Sequence, residues 1–184
     1  MSKFDPKTHH KRSVRLQGYD YSQAGAYYVT IVTWQRDFLF GGIVDGEMKL
    51  NQRGKIVEEC WQAIPEHFPN VELGAYVIMP NHVHGIIVIV DNRRGAIYRA
   101  PTGESNTEKF GKPIKSSLPT IMRTYKAAVT RIIGKELNET GIWQRNYYEH
   151  VIRNEKDFQN KTDYIEANPL LWHEDDENPV NLNR

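Results

Sequence analysis

The chain has 184 residues, of which 39% are hydrophobic and 26% charged, with a formal net charge of +1. This is an ordinary composition for a single globular domain with its own core. Cys60 is the sole cysteine, which excludes an internal disulfide and a cysteine-based zinc site. No apolar run approaches the ~20 residues that a membrane span needs, and MSKFDPKTHHKRSVRLQ at the start has no apolar centre to make it a secretory signal, so no membrane partner and a reducing cytoplasm are expected.

AYYVTIVTW (26–34) is β-branched and aromatic and predicts a strand. FGGIVDGEM (40–48) carries turn signals, and Asp45-Gly46 predicts a tight hairpin. Asn51 is placed to cap a helix in which Leu50, Ile56, Val57, Cys60, Trp61 and Ile64 follow helical spacing, with Pro65 closing it. VELGAYVIM (71–79) and HVHGIIVIV (82–90), separated by Pro80-Asn81, predict a β-hairpin. Residues 91–117 are rich in Gly, Ser, Pro and charge and predict a long flexible loop. Leu118, Ile121, Met122, Tyr125, Val129, Ile132 and Ile133 then form one helical stripe, capped by Ser116 or Ser117 and ended by Gly134. WQRNYYEHVI (143–152) predicts extended chain, and Asn154 caps a last helix from Glu155 to about Asn168, stopped by Pro169. The order fits an α+β fold: an antiparallel sheet with helices packed on one face, in a ferredoxin-like sandwich. Residues 1–184 form one domain, with a basic arm (1–19), the loop and an acidic tail (173–184).

Charge is unevenly spread. Residues 109–135 hold Lys109, Lys112, Lys115, Arg123, Lys126, Arg131 and Lys135 with no Asp or Glu, and the arm holds Lys3, Lys7, Lys11, Arg12 and Arg15 against Asp5. Either segment alone is compatible with solvated lysines; together they point to a polyanion partner.

His82 and His84 are two apart on a predicted strand, so both imidazoles leave one face while Val83 goes to the other. The spacing suits a shared divalent cation, but two histidines on a sheet face are more often solvated or hydrogen-bonded in a core. A metal used in chemistry also needs a further ligand and a reacting group. The last helix offers both: Tyr164 and Asn168 are four apart and share a helix face. The Asn168 amide oxygen is a hard ligand suited to magnesium or manganese, and a deprotonated phenol is a nucleophile. Taken singly, Tyr164 could belong to a core stripe and Asn168 could be a helix stop.

VIMPNHVHGIIVIV, IWQRNYYEHVIRNEKDF and DYIEANPLLW, in that order, resemble the single-tyrosine HUH transposases, in particular the REP-associated tyrosine transposases and their insertion-sequence relatives. The likeness runs from about Arg12 to Trp172. HUH denotes histidine, a bulky hydrophobic residue, histidine, here His82, Val83 and His84. The resemblance implies a central antiparallel sheet with the histidines on a middle strand and the tyrosine helix across that face. It implies Tyr164 as nucleophile and His82, His84 and Asn168 as ligands of Mg2+ or Mn2+. The implied reaction is cleavage and rejoining of single-stranded DNA at hairpins through a 5′-phosphotyrosine, acting as monomer or homodimer, with nucleoid association. The insertion-sequence branch usually has Gln where Asn168 stands, so Asn resembles the REP-associated branch.

DNA would be held by Arg12, Arg15, Lys115, Arg123, Lys126 and Arg131, and by a rim including Trp143 and Arg145, with Trp143 equally suited to the core. Tyr147 and Tyr148, beside Glu149 and His150, are rivals for the nucleophile, but only Tyr164 has a ligand-type residue one helical turn away. His150 and Glu166 are candidate bases. Two other functions fit the motifs: a hairpin-binding protein without strand transfer, and a metal-dependent nuclease that activates water without needing Tyr164.

Overall fold

The computed structural model describes residues 19–90 and 114–181. Arg12 and Arg15 of the basic arm and most of the 91–117 loop lie outside the described residues. Along the chain run β1 (Gly25–Val32), β2 (Gly41–Val44), β3 (Glu47–Leu50), α1 (Gln52–Gln62), α2 (Ile64–His67), β4 (Val71–Ile78), β5 (His82–Ile89), α3 (Leu118–Leu137), β6 (Tyr148–Ile152) and α4 (Glu155–Ala167). Short 3-10 turns lie at Trp34–Arg36, Trp172–Glu174 and Pro179–Asn181. The main sheet is antiparallel throughout, in the order β4-β5-β1-β6. With α1 after its first strand and α3 after its third, this is the expected ferredoxin-like α+β arrangement.

Local chemistry accounts for the elements. Asp45 and Gly46 join β2 to β3 with φ of 53° and 76°; positive φ at both central residues is what a type I′ hairpin requires. Asn51 caps α1 by accepting from Gly54 N at 3.0 Å, and Asn154 caps α4 by accepting from Asp157 N at 2.9 Å. Pro65 does not simply close α1: it lies in the first turn of α2, where its missing N–H costs nothing. Gly134 does not end α3, which continues to Leu137 and stops at Asn138 in the left-handed region. Ile133 and Leu137, one turn apart, keep the apolar stripe on the core, enough to offset the ~1 kcal/mol that a helical glycine costs. Only Tyr148–Ile152 of the stretch 143–152 joins the sheet; Trp143 makes a single bridge to Thr33.

The sheet is covered on both faces. α1 and α3 pack over Tyr27, Val29, Ile31, Val83 and Ile87. α4 lies on the opposite face, where Ile165 and Phe158 meet Ala26, Tyr28, Ile86, Val88 and Ile152. Gly85 sits on the α1 side of β5, and a Cβ there would lie 2.3 Å from Trp61 Cζ2. Trp61 is fully buried. Gly85→Ala is therefore expected to destabilise the fold by about 1–3 kcal/mol or more, read as a lower urea midpoint at unchanged slope. Among the described residues, no helix is long and apolar enough to cross a membrane.

Candidate metal and tyrosine site

The turn Met79–Asn81 is pinned before β5 begins. Met79 N donates to His82 O at 2.8 Å, Phe40 N to Pro80 O at 3.0 Å and Thr33 N to Asn81 O at 2.8 Å. Strand alternation then sends Val83, Gly85 and Ile87 to the α1–α3 side and His82, His84 and Ile86 to the α4 side. Both imidazoles are buried, with ring centroids 4.3 Å apart. His84 Nδ1 faces Tyr28 Oη at 2.7 Å and Thr30 Oγ1 at 2.9 Å. His82 Nδ1 faces Asn81 Oδ1 at 2.9 Å.

α4 carries Tyr164 and Asn168 to the same place. The Tyr164 ring lies 5.3 Å from that of His84, centroid to centroid, and its side is 40% exposed. Asn168, at the end of α4, is buried. The charged partner of both comes from the tail: Asp175 Oδ2 accepts from Tyr164 Oη at 3.0 Å and from Asn168 Nδ2 at 2.5 Å. His82, His84 and Asp175 each place a ligand atom within 4.8 Å of the others. His84 Nε2 is 3.7 Å from Asp175 Oδ2, too long for a hydrogen bond.

The site fits a divalent cation by its unsatisfied atoms. His82 Nε2, His84 Nε2 and Asn168 Oδ1 are buried without a hydrogen-bond partner. Such atoms are costly to leave unmade, and here they belong to the three residues expected as ligands. Burial lowers both imidazoles, that of His82 well below its usual range with His84 adding to the effect, so both are held neutral, the form that ligates metal. Burial alone would raise the Asp175 carboxyl, but neighbouring His84, His82 and Asn168 outweigh it and hold it at about 2. Burial raises the Tyr164 phenol, and the charge of Asp175 raises it further, so it stands protonated.

Asp175 is the residue that sequence reasoning missed, having been assigned only to an acidic tail. Glu174, Asp175, Asp176 and Glu177 are consecutive, and no spacing singles out one of them. The tail folds through its own asparagines: Asn178 Nδ2 donates to Trp172 O at 2.9 Å, and Asn181 Nδ2 to His173 O at 2.9 Å and Asp175 O at 3.0 Å. Trp172 was also missed as a site residue; it lies against His82 at 5.9 Å and Phe38 at 5.7 Å between ring centroids. Tyr148, the rival tyrosine, is on β6 with its ring 6.5 Å from Tyr28, while Tyr147 packs against the core. Neither candidate base is the group on the phenol: His150 Nε2 is paired with Asp157 Oδ2 at 2.8 Å, Glu166 is exposed, and Asp175 takes that position.

Among the described residues, those expected to bind DNA are not gathered at this site. Lys115, Arg123, Arg131 and Arg145 are exposed, but Arg123 and Arg131 stand on α3, across the sheet from the histidines. Lys126 Nζ donates to Gln144 O at 2.6 Å and Asn146 O at 3.2 Å, so it is engaged in holding the loop before β6. Trp143 packs on Phe40 and Tyr125 at 5.3 and 6.0 Å between centroids, in keeping with a core role.

No protein-family model matches the chain. An uncharacterized protein of Haemophilus influenzae is 40% identical over 174 residues, covering 95% of this chain and 96% of its own length. The REP-associated tyrosine transposase of Escherichia coli is 28% identical over 144 residues, 74% of this chain and 72% of its own. A solved structure of a REP-associated tyrosine transposase bound to a REP hairpin has a TM-score of 0.56 at 20% identity, over 92% of this chain and 73% of that one, a likeness of fold. Taken with the sheet that presents His82 and His84 to a tyrosine helix, these relationships mark the chain as similar to the REP-associated tyrosine transposases.

Proposed function

We propose that this protein cleaves and rejoins single-stranded DNA beside hairpins, with Tyr164 as nucleophile and a divalent cation, Mg2+ or Mn2+, held by His82, His84, Asn168 and Asp175. The observation that carries the reading is the set of unpartnered buried atoms, His82 Nε2, His84 Nε2 and Asn168 Oδ1, beside a phenol bonded to a carboxylate. Two imidazole nitrogens with amide and carboxylate oxygens suit a divalent ion of intermediate softness. Such an ion would supply positive charge against a non-bridging oxygen of the scissile phosphate.

The chain's own residues do the rest. Tyr164 Oη forms a bond to phosphorus, the P–O3′ bond breaks, and the leaving oxygen takes a proton to become a free 3′-hydroxyl. The 5′-phosphotyrosine retains the phosphodiester's energy, so attack by another 3′-hydroxyl rejoins the strand without ATP. Asp175 orients the phenol. Its carboxyl, held at about 2, keeps a proton poorly, and the exposed side of Tyr164 gives the phenolic proton a route to solvent.

Trp172 and the exposed Phe38 give aromatic faces beside His82, suited to stacking an unpaired base. Trp172→Ala is expected to weaken binding of a single-stranded oligonucleotide by about 1–3 kcal/mol, measured by fluorescence anisotropy.

The testing experiment mixes the protein with Mn2+ and hairpin oligonucleotides taken from repeats flanking its gene. On a denaturing gel a covalent protein–DNA adduct is expected, dependent on Mn2+ and retained in Tyr148→Phe. Cleavage without an adduct would instead make the protein a water-activating nuclease, and tight hairpin binding without cleavage would make it a binding protein.

A further inference from the structure

His82 can offer Nε2 to a cation only if its proton sits on Nδ1, and the ring's one hydrogen-bond partner is the side chain of the preceding residue. Asn81 is fully buried. Its Nδ2 donates to Arg36 O at 3.2 Å and Glu177 O at 2.8 Å, using both amide protons. The two carbonyls therefore fix which end of the amide is nitrogen. The flipped amide would set Oδ1 against two carbonyl oxygens and leave both Nδ2 protons without those acceptors. Oδ1 must accordingly be the atom 2.9 Å from His82 Nδ1. It can only accept, so Nδ1 carries the hydrogen and Nε2 the lone pair. His84 is different. Its Nδ1 meets the hydroxyls of Tyr28 and Thr30, and a hydroxyl can donate or accept.

We infer that Asn81 is a positioning residue that locks His82 in its Nδ1–H tautomer and so turns the Nε2 lone pair toward the candidate cation site. The same amide ties the histidine turn to the segment bearing Asp175, because Glu177 O is one of its two acceptors. That the lock serves a cation rests on the function proposed above; the tautomer assignment does not.

The test uses the full chain, 15N-labelled and free of metal, with long-range imidazole 1H–15N spectra at neutral pH. His82 is expected to show a protonated, pyrrole-type Nδ1 and a pyridine-type Nε2. Asn81→Ala is expected to give a mixture of tautomers and to weaken Mn2+ binding by about 10- to 100-fold, the usual effect of removing a group that orients a ligand. A wild-type spectrum with the proton on Nε2 overturns the inference without any variant having to fold. Unchanged tautomer in Asn81→Ala overturns it too; if Mn2+ binding weakened all the same, Asn81 would be a brace between segments. A wild type that shows the Nδ1–H form but binds no Mn2+ counts against the cation site alone and leaves the tautomer assignment standing.

Discussion

Tyr164→Phe is expected to abolish the covalent adduct and to lower strand cleavage by roughly 10^4-fold or more, the scale of losing one member of a covalent catalytic unit. Hairpin binding should stay within about threefold, because the phenyl ring keeps its place against His84 and Tyr28, at 5.3 and 6.3 Å between centroids. Losing the hydroxyl removes one donor from Asp175, which keeps Asn168 Nδ2 and the backbone N–H of Glu177, so the fold should lose only about 1 kcal/mol. A quench series of wild type and variant on one end-labelled hairpin oligonucleotide separates the two effects. Cleavage undiminished in Tyr164→Phe would remove the tyrosine from the chemistry.

His84→Ala should have the second large effect. It deletes one of the two buried imidazoles, and Mn2+ affinity is expected to fall by at least about 100-fold, beyond what loss of an orienting neighbour costs. Chelation of the wild type should silence cleavage in the same way. The variant also changes the pH response of the metal-free protein. Both histidines have folded-state pKa values below the ~6.5 of an unfolded chain. The unfolded state therefore binds more protons, and stability, complete above about pH 6.5, falls as pH drops below it. Asp175 acts in the same direction further down: held at about 2 in the fold and near ~3.9 when unfolded, it contributes stability that is lost as pH falls between those values. Thermal midpoints followed from neutral pH downward should fall less steeply between about pH 6.5 and 5 in His84→Ala than in wild type. Equal slopes would show that the imidazole is not buried as described.

Much of this arrangement could be read from the chain because it depends on short-range periodicity. His82 and His84 share a face through a period of two, Tyr164 and Asn168 through a spacing of four, and Asn51 and Asn154 announce helix starts through side-chain caps whose bonds are present. The hairpin β4–β5 and the hairpin at Asp45-Gly46 follow from turn chemistry. What local pattern cannot supply is where a segment lands. Pro65 and Gly134 look like stops, yet one opens a short helix and the other is overridden by Ile133 and Leu137 in the core. That α4 covers the face opposite α1 and α3 depends on the long-range pairing of β6 beside β1. Asp175 reaches the site because the tail turns back through Asn178 and Asn181, and Asn81 looks like a turn residue until the carbonyls of Arg36 and Glu177 arrive from distant parts of the chain. Lys126 is bound to two backbone carbonyls that only the fold brings to it.

The central claim is that Tyr164, not another tyrosine, becomes joined to DNA. Trypsin separates the candidates: Thr162–Arg184 contains Tyr164 as its single tyrosine, and Asn146–Arg153 contains Tyr147 and Tyr148. The adduct formed with Mn2+ and a hairpin oligonucleotide would be digested with trypsin and nuclease and sequenced by mass spectrometry. A nucleotide 5′-phosphate on the Thr162–Arg184 peptide is the predicted result; the same mass on Asn146–Arg153, or on a peptide carrying Tyr28, would contradict it.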